Sequence, residues 1–438
     1  MGNTGIYVSL DIGTTSIKVV VAEFVNGQMN IIGVGNEKSE GLSRGIVVDI
    51  DQTVESIKRA IAQAEEKANI DIRDVIVGIP ANGVEIEPCH GMIAVSGENR
   101  EITDIDVENV MAAAMVKSVP PEREIITVVP EEFIVDGFSE IRDPRGMIGV
   151  RLEMHATMIT GPKTILHNTK RCVEKAGLKI EEIILQPAAI SSTAMTKEEA
   201  RFGTILIDLG GGQSTASVMH DNQLKFTFVD PEGGEYVSKD ISVILNTSFD
   251  NAERIKREYG FALPEETSAE EYFPVDVIGK NEPVRVDEQY LSEIIEARLI
   301  QIFEKIKVQL DAVGARELPG GIILTGGAAS LPGIVELAKD IFGINVKLYV
   351  PDQMGMRFPA FSTGIGLIDY VANLDEIHAI AKGRKINVSS YNSQPGKAKV
   401  QESVVHEEIV KPEPVKKQKK PEDKFTNKAK NFISSFFD

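Results

Sequence analysis

Residues 8–21 read VSLDIGTTSIKVVV and residues 205–218 read ILIDLGGGQSTASV. Each is an apolar strand ending in an Asp, then a turn of small or hydroxylated residues, then a second strand. Either copy alone describes an ordinary strand closed by a turn. Two copies about 200 residues apart predict two related lobes, each turning a strand–loop–strand hairpin toward one shared site. In the first copy Gly13, Thr14 and Thr15 follow the Asp, and in the second Gly210, Gly211, Gly212 and Ser214. Residues this small let backbone N–H groups approach phosphate oxygens. Asp11 and Asp208 then stand at strand ends, suited to holding the water shell of a magnesium ion.

A third segment, GGIILTGGAASLPG at residues 320–333, reads as a buried strand, a Gly-Gly turn and a helix start. Gly326 and Gly327, followed by Ala328, allow a flat base to lie against the backbone. Three segments of this kind in this order resemble the actin, Hsp70 and sugar-kinase superfamily, in which they serve phosphate 1, phosphate 2 and adenosine. The resemblance implies an α/β fold, the actin-like ATPase fold. It has two lobes, each a mixed sheet flanked by helices, and its cofactors are ATP and Mg2+. Residues 186–194 (QPAAISSTA) and 361–369 (FSTGIGLID) pair small residues as two closely crossing helices do. By resemblance they are the hinge between lobes; without it they are small-residue helix contacts.

Charge and composition narrow the alternatives. A net charge of −19 argues against nucleic-acid binding, which wants a basic surface. The charge is unevenly spread: residues 379–438 carry 13 Lys/Arg against 7 Asp/Glu, the preceding residues 34 against 59. Cys89 and Cys172 give neither a disulfide framework nor metal-ligand spacing and suit a reducing compartment. No segment approaches the ~18 apolar residues of a membrane span, and the N-terminus lacks the pattern of a signal peptide. Neither G-x-S-x-G nor G-x-x-x-x-G-K-[ST] occurs, which removes serine-hydrolase and P-loop chemistry.

Residues 84–162 form an unusual insertion. Val150, Leu152, Met154, Ala156 and Met158 alternate with polar residues and predict a half-buried strand. Val107, Val110, Met111, Ala114 and Met115 have helical spacing. IITVVPEEFIV, at 125–135, reads as a strand whose Pro130 suits an edge or a bulge. An insertion of this size and position, together with GMIAVSG (91–97), LIDLGGGQST (206–215) and EGGEYVSKDIS (232–242), resembles the FtsA family of bacterial cell-division proteins, in a Firmicute-like form. The resemblance covers roughly residues 5–380.

It implies a domain plan. Residues 1–83, 163–200 and 357–380 make the first-lobe core (1A-like), and 84–162 the inserted small subdomain (1C-like, SHS2). Residues 201–232 and 305–356 make the second-lobe core (2A-like), and 233–304 its outer subdomain (2B-like). Residues 383–422, with Pro395, Pro412, Pro414 and Pro421 and few apolar anchors, read as a linker. A flexible chain of about 40 residues spans roughly 35 Å on average and stretches beyond about 100 Å.

Residues 423–438 close the chain with an amphipathic pattern. At 100° per residue Phe425, Ala429, Phe432, Ile433, Phe436 and Phe437 fall within an arc of about 140°, flanked by Lys424, Lys428 and Lys430. The lysines reach anionic headgroups while the phenylalanines enter the acyl boundary. A helix of about 20 Å is too short for a hydrocarbon core of about 30 Å, so it lies in the interface. The rival reading packs it on protein. One such helix binds reversibly, and many held on one polymer bind far more tightly.

In the second lobe Glu253 and Lys256 share a helix face. The resemblance gives them the ribose and base of the nucleotide, and gives Gly233 and Gly234 a contact near it; spacing alone equally allows a solvated ion pair and a hairpin turn. Gln186 stands where many actin-fold ATPases carry an acid, which implies at most slow hydrolysis. The long helix predicted at 287–311 carries Arg298, the candidate basic contact to the C-terminal peptide of the tubulin-like protein FtsZ. The leading expectation is thus an ATP-binding protein that self-assembles into filaments on the cytoplasmic face of the cell membrane. It tethers FtsZ filaments there, at the division septum, and meets other division proteins through 84–162. A PilM-type pilus-assembly adaptor is the alternative, and a small-molecule kinase of the same superfamily a more distant one.

Overall fold

The first hairpin opens a meander: β1 (Gly5–Ile12), β2 (Ser16–Val25) and β3 (Gln28–Lys38) pair antiparallel in sequence order. Residues Ile17 to Ala22 of β2 are buried without a break, so both faces of the strand are covered. That is why it reads as a continuous apolar run and not as an alternating one. A short ribbon of β4 (Leu42–Ser43) and β5 (Ile46–Val47) leads to α1 (Ile50–Ala68), whose first turn is capped by Asp49 accepting from the Gln52 N–H. Gly35 lets α1 lie directly on the sheet, since a Cβ there would overlap the Ala60 carbonyl. β6 (Asp74–Ile79) then enters parallel to β1.

The computed structural model describes residues 5–381 apart from Asn26, Glu98 and Asp375, and apart from the side chains of His378 and Ala381. The expected linker (383–422) and terminal helix (423–438) lie outside the described residues.

The small domain follows: β7 (Glu85–Ala94), α2 (Asp104–Ala114), β8 (Arg123–Val135), β9 (Phe138–Ile141) and β10 (Arg151–Pro162). Its strands form one antiparallel sheet in the order β7-β10-β8-β9, with α2 packed on β7 and β10. Leu152, Met154, Ala156 and Met158 are buried as alternation requires, whereas Val150 precedes the strand and is exposed. β8 is a central strand. Its Pro130 is tolerated because the register with β10 shifts between His155 and Ala156, placing the proline at a bulge.

Helix α3 (Lys163–Lys175) and β11 (Lys179–Leu185) complete the first sheet, ordered β11-β6-β1-β2-β3. Helices α4 (Gln186–Ala194) and α5 (Lys197–Phe202) cross to the second lobe. There β12 (Thr204–Leu209), β13 (Ser214–His220) and β14 (Gln223–Asp230) repeat the meander. Next come α6 (Gly234–Ile244), α7 (Phe249–Tyr259), the ribbon β15 (Tyr272–Val275) and β16 (Val284–Asp287), and α8 (Glu288–Ala312). Strand β17 (Ile322–Thr325), helix α9 (Ile334–Phe342) and strand β18 (Val346–Leu348) finish the sheet as β14-β13-β12-β17-β18. Strand for strand this is the order of the first sheet. Ile294, Ile295, Leu299, Ile302, Phe303 and Ile306 of α8 are all buried in the core of this lobe.

Helix α10 (Ser362–Ala372) returns to the first lobe, packing on β1 and crossing α4. The crossing is close because Gly366 meets the Ala189 backbone, where a Cβ would overlap the carbonyl. The last described helix, α11 (Glu376–Ala381), packs on α2, with Ile377 and Ile380 in the small-domain core.

Candidate functional site between the lobes

Hairpin register decides which side chains reach the cleft. In the first lobe Asp11 pairs with Lys18 and Ile12 with Ile17; in the second, Asp208 pairs with Thr215 and Leu209 with Ser214. Residues directly opposite share a face of the sheet. The turns close alike, Gly13 N–H donating to the Ser16 carbonyl at 3.2 Å and Gly210 N–H to that of Gln213 at 3.0 Å. The two tips abut: a Cβ at Gly211 would overlap Thr15, and one at Gly212 would overlap Thr14. Glycine is required there because the opposing threonines occupy the space.

A cavity of about 100 Å³ lies between the tips, walled by Gly13–Thr15 and Gly210–Gly212 backbone, with Asp11, Asp208 and Lys18 facing it and Gly326 and Gly327 at another side. Lys18 Nζ stands 3.3 Å from Asp11 Oδ2 and the Gln186 amide donates to Asp11 Oδ1 at 3.0 Å. Asp208 accepts no hydrogen bond among the described residues. Burial and the neighbouring charge of Asp11, opposed by Lys18, push its carboxyl up to about 6. A carboxylate without donors among the described residues, beside a second carboxylate and a glycine-walled cavity, fits a hydrated divalent cation, whose charge would offset the carboxylates and whose phosphate partner the glycine turns could hold.

A second cluster meets at Gly234. The Gly234 N–H donates to the Gly210 carbonyl at 2.9 Å, tying this turn to the second hairpin. Lys256 Nζ donates to the Gly234 carbonyl at 2.9 Å and to Glu253 at 2.6 Å, and Ala328 faces the Gly234 Cα. Gly233 is wedged against the Gly210 and Gly211 carbonyls. Burial alone raises Glu253, but Lys256 and Ser238 outweigh it and hold the carboxyl below its usual range. Lys256 is depressed by its own burial despite Glu253. The pair is thus largely buried against Gly234 and not solvated as spacing alone allowed, and it does not line the cavity between the tips.

Two expected site residues are placed elsewhere. Ser214 is fully buried and its hydroxyl donates to the Glu232 carbonyl at 2.8 Å. Register explains this: Ser214 occupies the place that Ile17 has in the first hairpin, on the face turned away from the cavity. Arg298 is not a free cation for a peptide. It donates to Asp240 at 2.5 and 3.0 Å and to Glu232 at 3.0 Å, and lies 5.7 Å over the Tyr236 ring. After Gly327 the chain makes a short 3-10 turn, Gly327–Ser330, before α9 starts, because Pro332 and the left-handed Gly333 delay the helix. Phe425, Phe432, Ile433, Phe436, Phe437, Lys424, Lys428 and Lys430 lie outside the described residues.

Several residues at or beside the cavity received no role from the sequence. Lys18 was findable from hairpin register alone, seven residues after Asp11 and directly opposite it. Gln213, Asn82, Arg44 and Gly45 were not. Asn82 donates to Gln213 Oε1 at 2.9 Å, and the Gly45 N–H to Thr14 Oγ1 at 2.8 Å, contacts between segments far apart in the chain.

Comparison with known proteins agrees with this architecture. A family model described as cell division protein FtsA matches residues 205–366, and one described as the SHS2 domain inserted in FtsA matches residues 81–160. The chain is 58% identical to cell division protein FtsA of Enterococcus hirae, over 100% of both chains. It is 48% identical to that of Bacillus subtilis, over 88% of this chain and 87% of the relative. Among solved structures, the PilM–PilN type IV pilus biogenesis complex aligns with TM-score 0.59 at 15% identity, over 84% of this chain and 99% of the other. MreB5 of Spiroplasma citri bound to ADP aligns with TM-score 0.51 at 13% identity, over 83% and 95%. These two likenesses establish the actin-like fold.

Proposed function

Because this chain belongs to the FtsA family of cell-division proteins, we propose that it binds ATP with Mg2+ between its lobes, self-assembles on the cytoplasmic face of the membrane and holds FtsZ filaments there at the septum. The observation that carries the nucleotide part is the matched pair of hairpins presenting Asp11 and Asp208 to one glycine-walled cavity. Asp11 and Asp208 hold the metal's waters, the two turns hold phosphate, and Gly234, Glu253, Lys256 and Ala328 take ribose and base. A magnesium ion there would supply the positive charge that the two carboxylates and the phosphates share.

Turnover is slow in this reading. The Gln186 amide is engaged by Asp11, and an amide accepts no proton from water. ATP therefore acts as a structural ligand of the closed, assembly-competent form. Among the described residues no helix is long and apolar enough to cross a membrane, so attachment falls to the amphipathic pattern of 423–438. With Arg298 committed to Asp240 and Glu232, the FtsZ peptide is assigned to the outer subdomain 233–304 through other residues, and further division proteins to 84–162.

The likeness to PilM favours a pilus adaptor on fold grounds, but at 15% identity against 58% for the FtsA of Enterococcus hirae it is the weaker reading. It also leaves the basic amphipathic terminus without a use. Sedimentation with anionic vesicles, comparing the full chain with one ending at residue 422, tests the tether. The full chain pellets and the shortened one stays in solution; equal pelleting removes the membrane claim. Adding FtsZ to the same vesicles should bring it down with the full chain alone.

A further inference from the structure

We propose that Arg44 and Tyr236 form a clasp across the lobes, away from the hinge, that sets how fast bound nucleotide leaves; this rests on the nucleotide reading above. Arg44 lies between β4 and β5 of the first lobe with φ +50°, a left-handed backbone that its neighbours Gly41 and Gly45 adopt at +82° and +75°. Glycine would sit there without strain, so an arginine held in this conformation points to a task for its side chain. Its Nη2 donates to the Tyr236 hydroxyl at 2.9 Å, joining the first lobe to α6 of the second.

Both ends of the clasp are anchored to the hairpins. The Arg44 carbonyl accepts from Asn82 at 3.4 Å, and the same amide donates to Gln213 of the second hairpin. The next residue, Gly45, donates to Thr14 of the first hairpin, and a Cβ at Gly45 would overlap the Gln213 amide. On the other lobe Tyr236 stands in the first turn of α6, just after Gly233 and Gly234. Arg298 lies over its ring and is itself pinned by Asp240 and Glu232. The arginine that sequence assigned to a peptide thus orders the tyrosine.

Cavity size gives the clasp its consequence. About 100 Å³ between the tips is well below the roughly 300 Å³ or more that small-molecule sites offer. A whole nucleotide enters or leaves only when the lobes part. The hinge side, where Gly366 sits on Ala189, is fixed by packing, so parting occurs at the rim and must break Arg44–Tyr236 and Asn82–Gln213. The polar contacts from the first-lobe insertion to the second lobe, Lys225 with Glu131 and Gln223 with Thr157 and the Pro130 carbonyl, involve no residue that lines the cavity, whereas the clasp adjoins Gly45 and Gln213, which do.

The test is release of a fluorescent ATP analogue from the full-length chain, chased with excess ATP, for wild type, Arg44→Gly, Tyr236→Phe and the double variant. Arg44→Gly suits the left-handed backbone, and Tyr236→Phe keeps the ring under Arg298, so neither needs to disturb folding. Each single variant should speed release about three- to tenfold, the scale of one hydrogen bond. The double variant should be no faster than the quicker single one, because both remove the same bond. Release rates equal to wild type in all three overturn the clasp. Hydrogen exchange across residues 42–47, measured without nucleotide, separates the two readings. A wild type that retains no analogue sinks the nucleotide reading, while exchange unaltered by Tyr236→Phe sinks the clasp whatever the nucleotide does.

Discussion

The two hairpins share a backbone and differ in what their carboxylates meet. Asp11 has a lysine opposite it and a glutamine amide on its other oxygen; Asp208, at the matching place, has Thr215 opposite and no donor among the described residues. Burial and the charge of Asp11 then raise Asp208 to about 6. Duplicated geometry has thus produced one carboxylate with a cation and an amide as partners and one without a hydrogen-bond partner among the described residues. In the proposed nucleotide reading, a bound cation therefore matters more to the second lobe's carboxylate than to the first's, although the motifs look interchangeable.

Asp208→Ala makes the largest break in that comparison. It should abolish Mg2+-dependent nucleotide binding in a filter or fluorescence assay while leaving the folded chain intact; binding at wild-type affinity would show the carboxylate has no part in the site. Next in size is the pair of positions on the hidden face of each hairpin. Ile17→Ala removes a fully buried side chain and should cost about 2–5 kcal/mol in chemical denaturation. Its counterpart Ser214→Ala leaves the Glu232 carbonyl without its donor and should cost about 1 kcal/mol. Equal losses would mean the two hairpins do not share a register.

The remaining comparison is in pH, and its sign distinguishes the two Asp residues. Between about 4 and about 6 the folded chain keeps a proton on Asp208 that the unfolded chain has lost. The stability contributed by this group is therefore complete below the unfolded value of 3.8 and is lost as pH rises through about 6. Without nucleotide, Asp208→Asn should remove that slope and be more stable than wild type at pH 7.5, by about 1–3 kcal/mol. Asp11→Asn, which strips buried Lys18 of its partner, should be less stable. With Mg2+ and nucleotide present, wild-type affinity should weaken as pH falls through about 6, because metal competes with the proton. Thermal shifts and titrations across pH 4.5–8 would read all three, and a common sign for the two Asn variants would erase the asymmetry.

Much of this was legible in the chain. The repeated Asp-turn motif, the apolar run of β2, the small-residue pairing of α4 with α10 and the alternating strand of the insertion each depend on neighbours in sequence, so their patterns survive without a structure. Pro130 announced a bulge, and the bulge is there, though in a central strand. Ser214 was misjudged because a turn serine looks like a phosphate ligand until the register says which face it occupies. Arg298 was misjudged because an arginine on a helix looks free until Asp240, Glu232 and Tyr236 arrive from another helix and its approach. Nothing local marks Arg44 or Asn82, whose partners lie on the other lobe.

The two lobes, the insertion, the candidate phosphate turns and the family are all written in periodicity, small-residue spacing and motif order. Only the folded arrangement shows that Lys18 pairs with Asp11 while Asp208 has no hydrogen-bond partner among the described residues, that Ser214 turns inward, and that Arg298 braces Tyr236 beneath Arg44. The physical reason is that charge balance and hydrogen-bond satisfaction are properties of what surrounds a group in space, and here those surroundings come from segments far apart along the chain.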